Sequence, residues 1–126
     1  MKKGIHITGI SGSLRKVSFN SYLLNNLADL LPEGVALEII SFADLPLYNA
    51  DLDIPASKER PATVTAFRNK LSTTDGLVIV SPEYNYSIPG GLKNAIDWAS
   101  RGEDSPLLIR QNLEQLKQTK FNHSTK

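Results

Sequence analysis

The sequence predicts one α/β domain, a parallel sheet with helices on both faces, and three observations predict it. Apolar runs of strand length alternate with apolar stripes of helical spacing, in the order βαβαβα, an alternation that calls for parallel strands with helical crossovers. Residues 76–81, GLVIVS, form a continuous apolar run containing the β-branched pair Val78 and Ile79, the pattern of a parallel strand buried on both faces. Proline falls between these segments rather than within them. Right-handed crossovers then let the first and third strands flank a switch point, the place where an open α/β sheet binds ligands.

Residues 5–10 give the first strand, and residues 18–31 a helix with Tyr22, Leu23, Leu27, Leu30 and Leu31 on its apolar side. Pro32, Glu33 and Gly34 stop that helix, and VALEII at 35–40 is the second strand. Residues 41–61 form a long irregular connection containing LPLYNADLD, with Pro46 and Pro55 inside it; connections of this length are usually functional. Pro61 opens a helix over 62–71 with Val64, Phe67 and Leu71 at spacings of three and four. The third strand at 76–81 is ended by Pro82, and Pro89 suits the start of a last helix whose stripe is Leu92, Ile96 and Ala99. There are no internal repeats, low-complexity segments or interdomain linkers.

With 126 residues, 40% hydrophobic and 21% charged, the chain fits one globular domain. A domain of this size buries about two thirds of its unfolded surface. The net charge is +1 with both signs interspersed, so no basic stripe exists to neutralise a row of nucleic-acid phosphates, and nucleic acid is discounted as a partner. The absence of cysteine removes disulfides, thiolate zinc sites and redox dithiols, while His6 and His123 are too few for a histidine cluster. His6 lies in an apolar strand and reads as a core or edge residue. Gly4, His6, Thr8 and Gly9 interrupt what would be a signal-peptide core, and no long apolar span follows, so a membrane is not expected as a partner and the cytoplasm is the expected location.

Two turns carry more chemistry than their folding requires. PEYNYSIPGGLKNAIDWASR at 82–101 puts Glu83, Tyr84, Asn85, Tyr86 and Ser87 on a corner that needs only a glycine or proline and a cap. SGSLRKVSFN at 11–20 joins the first strand to the first helix: Gly12 permits a tight turn, Ser13 and Ser18 offer hydroxyls, Arg15 a charged fork, and the helix start its free N–H groups. This set favours an anion, although a helix capped by Ser18 with solvated basic residues explains the same residues. The glycines of the dinucleotide fingerprint and of the Walker motif are absent, which points away from an ATPase. Together the two loops suit a ligand with an anionic tail and a flat polar ring, a description that a phosphorylated flavin fits.

The segments GSLRKVSFN (12–20) and PEYNYSIPGGLKNAIDWASR (82–101), with PLYNAD (46–51) and DGLVIVSPEYN between them, resemble the paired motifs of the NADPH-dependent FMN reductase family, especially its bacterial chromate and quinone reductases. The resemblance runs over residues 4–106. It implies a flavodoxin-like fold, bound FMN, and two-electron transfer from NAD(P)H to quinones, with chromate, azo compounds or free flavin as looser acceptors. It places the FMN phosphate on Ser13, Leu14, Arg15, Lys16, Val17, Ser18, Phe19 and Asn20, with Ser13, Arg15, Ser18 and Asn20 as side-chain contacts. It places the isoalloxazine on Pro82, Glu83, Tyr84 and Asn85, with Tyr86 near the open ring face. The flavin performs such chemistry, so these are binding residues and no catalytic side chain is expected. Glu83 either reaches across a subunit boundary or simply solvates its turn. Lys93, Asn94, Asp97 and Arg101 read as surface groups of the last helix.

Family members continue after the position of Pro106 into further strands and a second glycine-rich loop. This chain instead has LLIRQNLEQLKQTKFNHSTK, in which residues 107–117 have the spacing of a short amphipathic helix and nothing reads as a strand. The expected organisation is therefore residues 1–106 as the N-terminal part of an FMN-binding domain whose last two strands are missing, and 107–126 as a divergent tail. The third strand becomes an edge, which favours a homodimer or homotetramer. The alternative is a truncated, inactive or flavin-weak remnant that acts at most as an interaction protein. A one-electron flavodoxin-type carrier fits less well, since such carriers are generally strongly acidic.

Overall fold

A computed structural model of the chain describes residues 4–53 and 60–101. In order, the elements are β1 (Ile5–Ser11), α1 (Phe19–Leu30), β2 (Val35–Ile40), a 3-10 turn (Ala50–Leu52), α2 (Ala62–Ser72), β3 (Gly76–Val80) and α3 (Gly90–Ser100). Within the described residues each predicted strand and helix is present to within two residues. The sheet order is β2-β1-β3 with both pairs parallel, Ile5 opposite Val35 and Ile7 opposite Gly76. The chain leaving β1 turns to β2 on one side while β3 lies on the other, so the crevice of the switch point opens between the ends of β1 and β3.

Side chains alternate across this sheet, and the two faces are covered differently. On one face Ile10 and Ile40 join Phe42, Phe67, Leu71, Leu92 and Ala95 in the main core, so α2 and α3 share that side. On the other, α1 buries only Leu24 completely. The predicted apolar side of α1 is corrected here, since Tyr22, Leu23 and Leu30 are exposed. The face that docks is chosen by Gly9, where an added Cβ would lie 3.2 Å from a Leu24 methyl and 3.1 Å from one of Leu37; the helix drops into the space β1 leaves empty.

The stripe of α3 is also rotated from the predicted one. Leu92, Ala95 and Trp98 are fully buried, whereas Ile96 and Ala99 pack at the margin of the core. Trp98 turns inward because the loop after β2 covers it: its Nε1 donates to the Pro46 carbonyl at 2.7 Å, and the Tyr48 ring meets it edge-on at 4.8 Å. Buried Arg68 of α2 donates to the carbonyls of Trp98 at 2.6 Å and Arg101 at 3.1 Å. A guanidinium thus supplies the donors that the end of α3 lacks.

The expectation that β3 is buried on both faces does not hold within the described residues. Its residues are half-buried and Ile79 is 41% exposed, because β1 pairs with one side and no other described strand with the second. His6, expected in the core or at an edge, is instead half-buried near the start of the central strand, 3.2 Å from Glu38, which also binds Lys70. Among the described residues no group of three or more His, Cys, Asp or Glu is placed to hold a metal, and no helix is long and apolar enough to cross a membrane. Pro55, His123, the helical spacing at 107–117 and the division after residue 106 lie outside the described residues.

Candidate functional site

The two loops singled out by the sequence begin in contact. Gly12 donates its N–H to the Val80 carbonyl at 2.8 Å, one step beyond the Ser11–Val80 register pair. A Cβ at Gly12 would fall 2.5 Å from Ser81 Oγ and 2.8 Å from Ser81 Cβ, so only glycine lets the strand ends approach this closely.

From there the first loop folds on its own serines. Ser13 N–H donates to Ser11 Oγ, Arg15 N–H donates to Ser13 Oγ at 3.3 Å, and Ser21 Oγ donates to Ser11 Oγ at 3.2 Å. Ser18 is the N-cap of α1, its hydroxyl accepting from Asn20 N–H at 3.2 Å, and it is buried. The capping role is therefore present in the structure. Among the described residues the N–H groups of Leu14, Lys16, Val17 and Phe19 donate to no protein acceptor. They belong to an exposed segment that also carries the Arg15 and Lys16 charges, while Ser13 and Asn20 are half-buried. Free backbone donors, a guanidinium, an ammonium and a helix start fit an anion such as a phosphate.

The second loop makes a tight corner. Tyr84 and Ser87 exchange N–H and carbonyl bonds of 2.8 and 3.1 Å, and the two residues between them, Asn85 and Tyr86, have φ of 53° and 64°. Two left-handed central residues mark the type I′ turn. Asparagine tolerates this conformation, but tyrosine is strained in it, and Tyr86 is nonetheless 98% exposed. Tyr84 N–H is used by the turn and Pro82 has none, so the free donors of this corner are Glu83, Asn85 and Tyr86. Glu83 is exposed and Pro82 half-buried. Nothing caps α3 at its start, where Pro89 occupies the N-cap without a side-chain bond.

Between the loops lies a cavity of about 220 Å³ lined by Gly12, Leu14 and Arg15 of the first, Tyr84 and Pro89 of the second, Gly91 of α3, and Phe42. The structure thus brings Leu14, Arg15 and Tyr84 together; exposed Lys16, Val17, Phe19, Glu83 and Asn85, half-buried Ser13, Asn20 and Pro82, and buried Ser18 do not line it. Phe42 and Gly91 were not read as site residues. The Pro-Gly-Gly start of α3 was the available signal, because two glycines at a helix start announce a close approach. Asn94 and Arg101, read as surface groups, instead bind the loop after β2, Asn94 through two backbone bonds and Arg101 over the Tyr48 ring at 5.3 Å. Lys93 and Asp97 do form an exposed pair at 2.7 Å.

A parallel sheet of order β2-β1-β3, helices on both faces, and a ligand corner at the ends of β1 and β3 define a flavodoxin-like α/β protein. The profile of the NADPH-dependent FMN reductase family matches residues 5–117, and the chain belongs to that family. It is 46% identical over 108 residues to a quinone reductase of Escherichia coli (strain K12), covering 85% of this chain and 56% of that protein. It is 44% identical over 104 residues to an NADPH:quinone oxidoreductase of Arabidopsis thaliana, covering 80% and 52%. Among solved structures it resembles the flavoenzyme NAD(P)H:(acceptor) oxidoreductase FerB of Paracoccus denitrificans, with TM-score 0.71, 35% identity, and coverage of 81% of this chain and 54% of that one. The chain spans about half the length of the curated relatives it matches.

Proposed function

We propose that the chain binds FMN across its two loops and takes part in electron transfer from NAD(P)H to a quinone. The observation that carries this reading is the cavity in which Leu14 and Arg15 of the first loop meet Tyr84 and Pro89 of the second. Family membership and the names of the relatives support it. The free N–H groups at Leu14, Lys16, Val17 and Phe19, with Arg15, hold the phosphate, while Pro82, Glu83, Tyr84 and Asn85 border the ring. Free N–H groups at Glu83, Asn85 and Tyr86 are the donors available to carbonyl and ring-nitrogen acceptors, and donors fixed in place before the reaction stabilise negative charge that develops there. When bound, FMN supplies the two-electron chemistry; the protein contributes position and electrostatics.

The working location in this reading is the cytoplasm, and the assembly a homodimer or homotetramer. The half-buried β3, with no described strand on its outer side, supports self-association. The test is optical. The purified chain mixed with FMN should retain a flavin spectrum after gel filtration and bleach on anaerobic addition of NADPH, with colour restored by a quinone. A colourless eluate would reject the reading. Light scattering of the same sample tests the assembly, and a stable monomer would count against it.

A further inference from the structure

The loop after β2 contributes Phe42 to the cavity, and its PLYNAD segment, which does not line the cavity, is tied down along its length. The Asn94 side chain makes two bonds of opposite polarity to it: Nδ2 donates to the Pro46 carbonyl and Oδ1 accepts from Tyr48 N–H, both at 2.8 Å. Trp98 Nε1 donates to the same Pro46 oxygen. Tyr48 OH donates to Asp53 at 3.0 Å, and the other Asp53 oxygen meets Arg60 at 2.6 Å, both side chains being nearly inaccessible. At the start of the loop, Leu45 N–H closes a turn on the Phe42 carbonyl. The amide of Asn94 therefore fixes both the height and the register of the loop on α3, and Phe42 with it.

Phe42 uses this placement to reach the site. A Cβ at Gly91 would lie 2.9 Å from Phe42 Cε2 and 3.8 Å from a Leu14 methyl, so the phenyl edge stands where a side chain on the first turn of α3 would otherwise be. Phe42 lines the cavity together with Tyr84, Leu14 and Pro89, and Arg15 also lines it. At about 220 Å³ the cavity is smaller than the roughly 300–1,000 Å³ that holds a whole drug-sized ligand. It has room for a flat ring system and not for an entire nucleotide. Apolar faces with a phenol at hand suit a flat ring bearing carbonyl oxygens.

We propose that Phe42, held by Asn94 and admitted by Gly91, is a specificity-determining residue that sets how wide a flat, carbonyl-bearing ring the pocket accepts, with Asn94 as its positioning residue. This rests on the reading of the corner as a flavin and quinone site, and the ring chemistry is shared by both ligands. The test measures dissociation constants of FMN, duroquinone (one ring) and menadione (two fused rings) by calorimetry on the full chain without NAD(P)H, for the wild type, Phe42→Leu, Gly91→Ala and Asn94→Ala. Changing an apolar wall by about one methylene shifts discrimination by roughly tenfold or more. Phe42→Leu should shift the menadione-to-duroquinone affinity ratio toward the wider ring, Gly91→Ala toward the narrower, and Asn94→Ala should bring the ratio toward unity, which a mere loss of stability would not do. Gly91→Ala leaves the core residue in place and carries the test alone if Phe42→Leu does not fold. Unchanged ratios in the folded variants would overturn the proposal, as would a wild type that binds neither quinone. FMN binding with unchanged ratios rejects the role of Phe42 and keeps the flavin site; shifted ratios without FMN binding do the reverse.

Discussion

Gly12→Ala tests whether the approach of the two loops makes the site. The new methyl would lie 2.8 Å from Ser81 Cβ and 3.0 Å from Ser81 Cα, as well as 2.5 Å from its Oγ. The hydroxyl can rotate away, but Cβ and Cα are tied to the backbone, and ordinary carbon–carbon contact is about 3.5–4.0 Å, so the end of β3 must retreat by roughly 0.5–1 Å. Overpacking of this kind costs about 1–3 kcal/mol. For a domain of this size the melting temperature should fall by roughly 4 °C for each kcal/mol. The Gly12 N–H to Val80 bond stretches with it, and because the proposed site holds FMN from both loops, FMN affinity should fall by about tenfold, equivalent to about 1.4 kcal/mol. Thermal unfolding and a flavin fluorescence titration measure the two effects. Ser81→Gly in the same chain removes two of the three contacts and should restore part of both, giving a coupling of about 1 kcal/mol in a double-mutant cycle. A Gly12→Ala protein that melts with the wild type and binds FMN equally well would refute the reasoning.

The same logic gives further outcomes. Tyr86→Gly relieves a left-handed tyrosine and should stabilise the fold by about 0.5–1 kcal/mol while weakening FMN, opposite signs that thermal unfolding and titration separate. Arg15→Ala should weaken FMN by about tenfold or more, an effect that added salt diminishes in the wild type, and should leave riboflavin binding nearly unchanged because riboflavin lacks the phosphate. The Glu38 carboxyl is held below the ordinary glutamate range chiefly by its hydrogen bond from Lys70. A depressed folded value stabilises above the unfolded one and is lost as pH falls through the folded one. The difference in unfolding midpoint between wild type and Glu38→Gln should therefore shrink as pH drops below the ordinary glutamate range, and shrink at neutral pH in high salt.

Strand and helix order, and the parallel sheet itself, were legible because periodicity and punctuation are local properties of the chain. Which face of each helix docks was not, since that depends on a partner far away in sequence. Leu24 is chosen by the absent side chain of Gly9, and Trp98 is drawn inward by the carbonyl of Pro46. The buried Arg68 is the same case, a charge whose acceptors lie 30 and 33 residues further along the chain. At the site, the two loops could be read because turn chemistry is local too. Phe42 could not, for it ends an apolar run and looks like any core residue until α3 lays Gly91 against it.

The FMN site proposed for residues 13–20 and 82–86 spans both loops. Mapping amide chemical shifts of the labelled chain during an FMN titration tests it most directly. Saturable shifts should concentrate at Leu14, Lys16, Val17 and Phe19 and at Glu83, Asn85 and Tyr86, with riboflavin reproducing the second set and not the first. Shifts confined to one loop, centred elsewhere, or absent would contradict it.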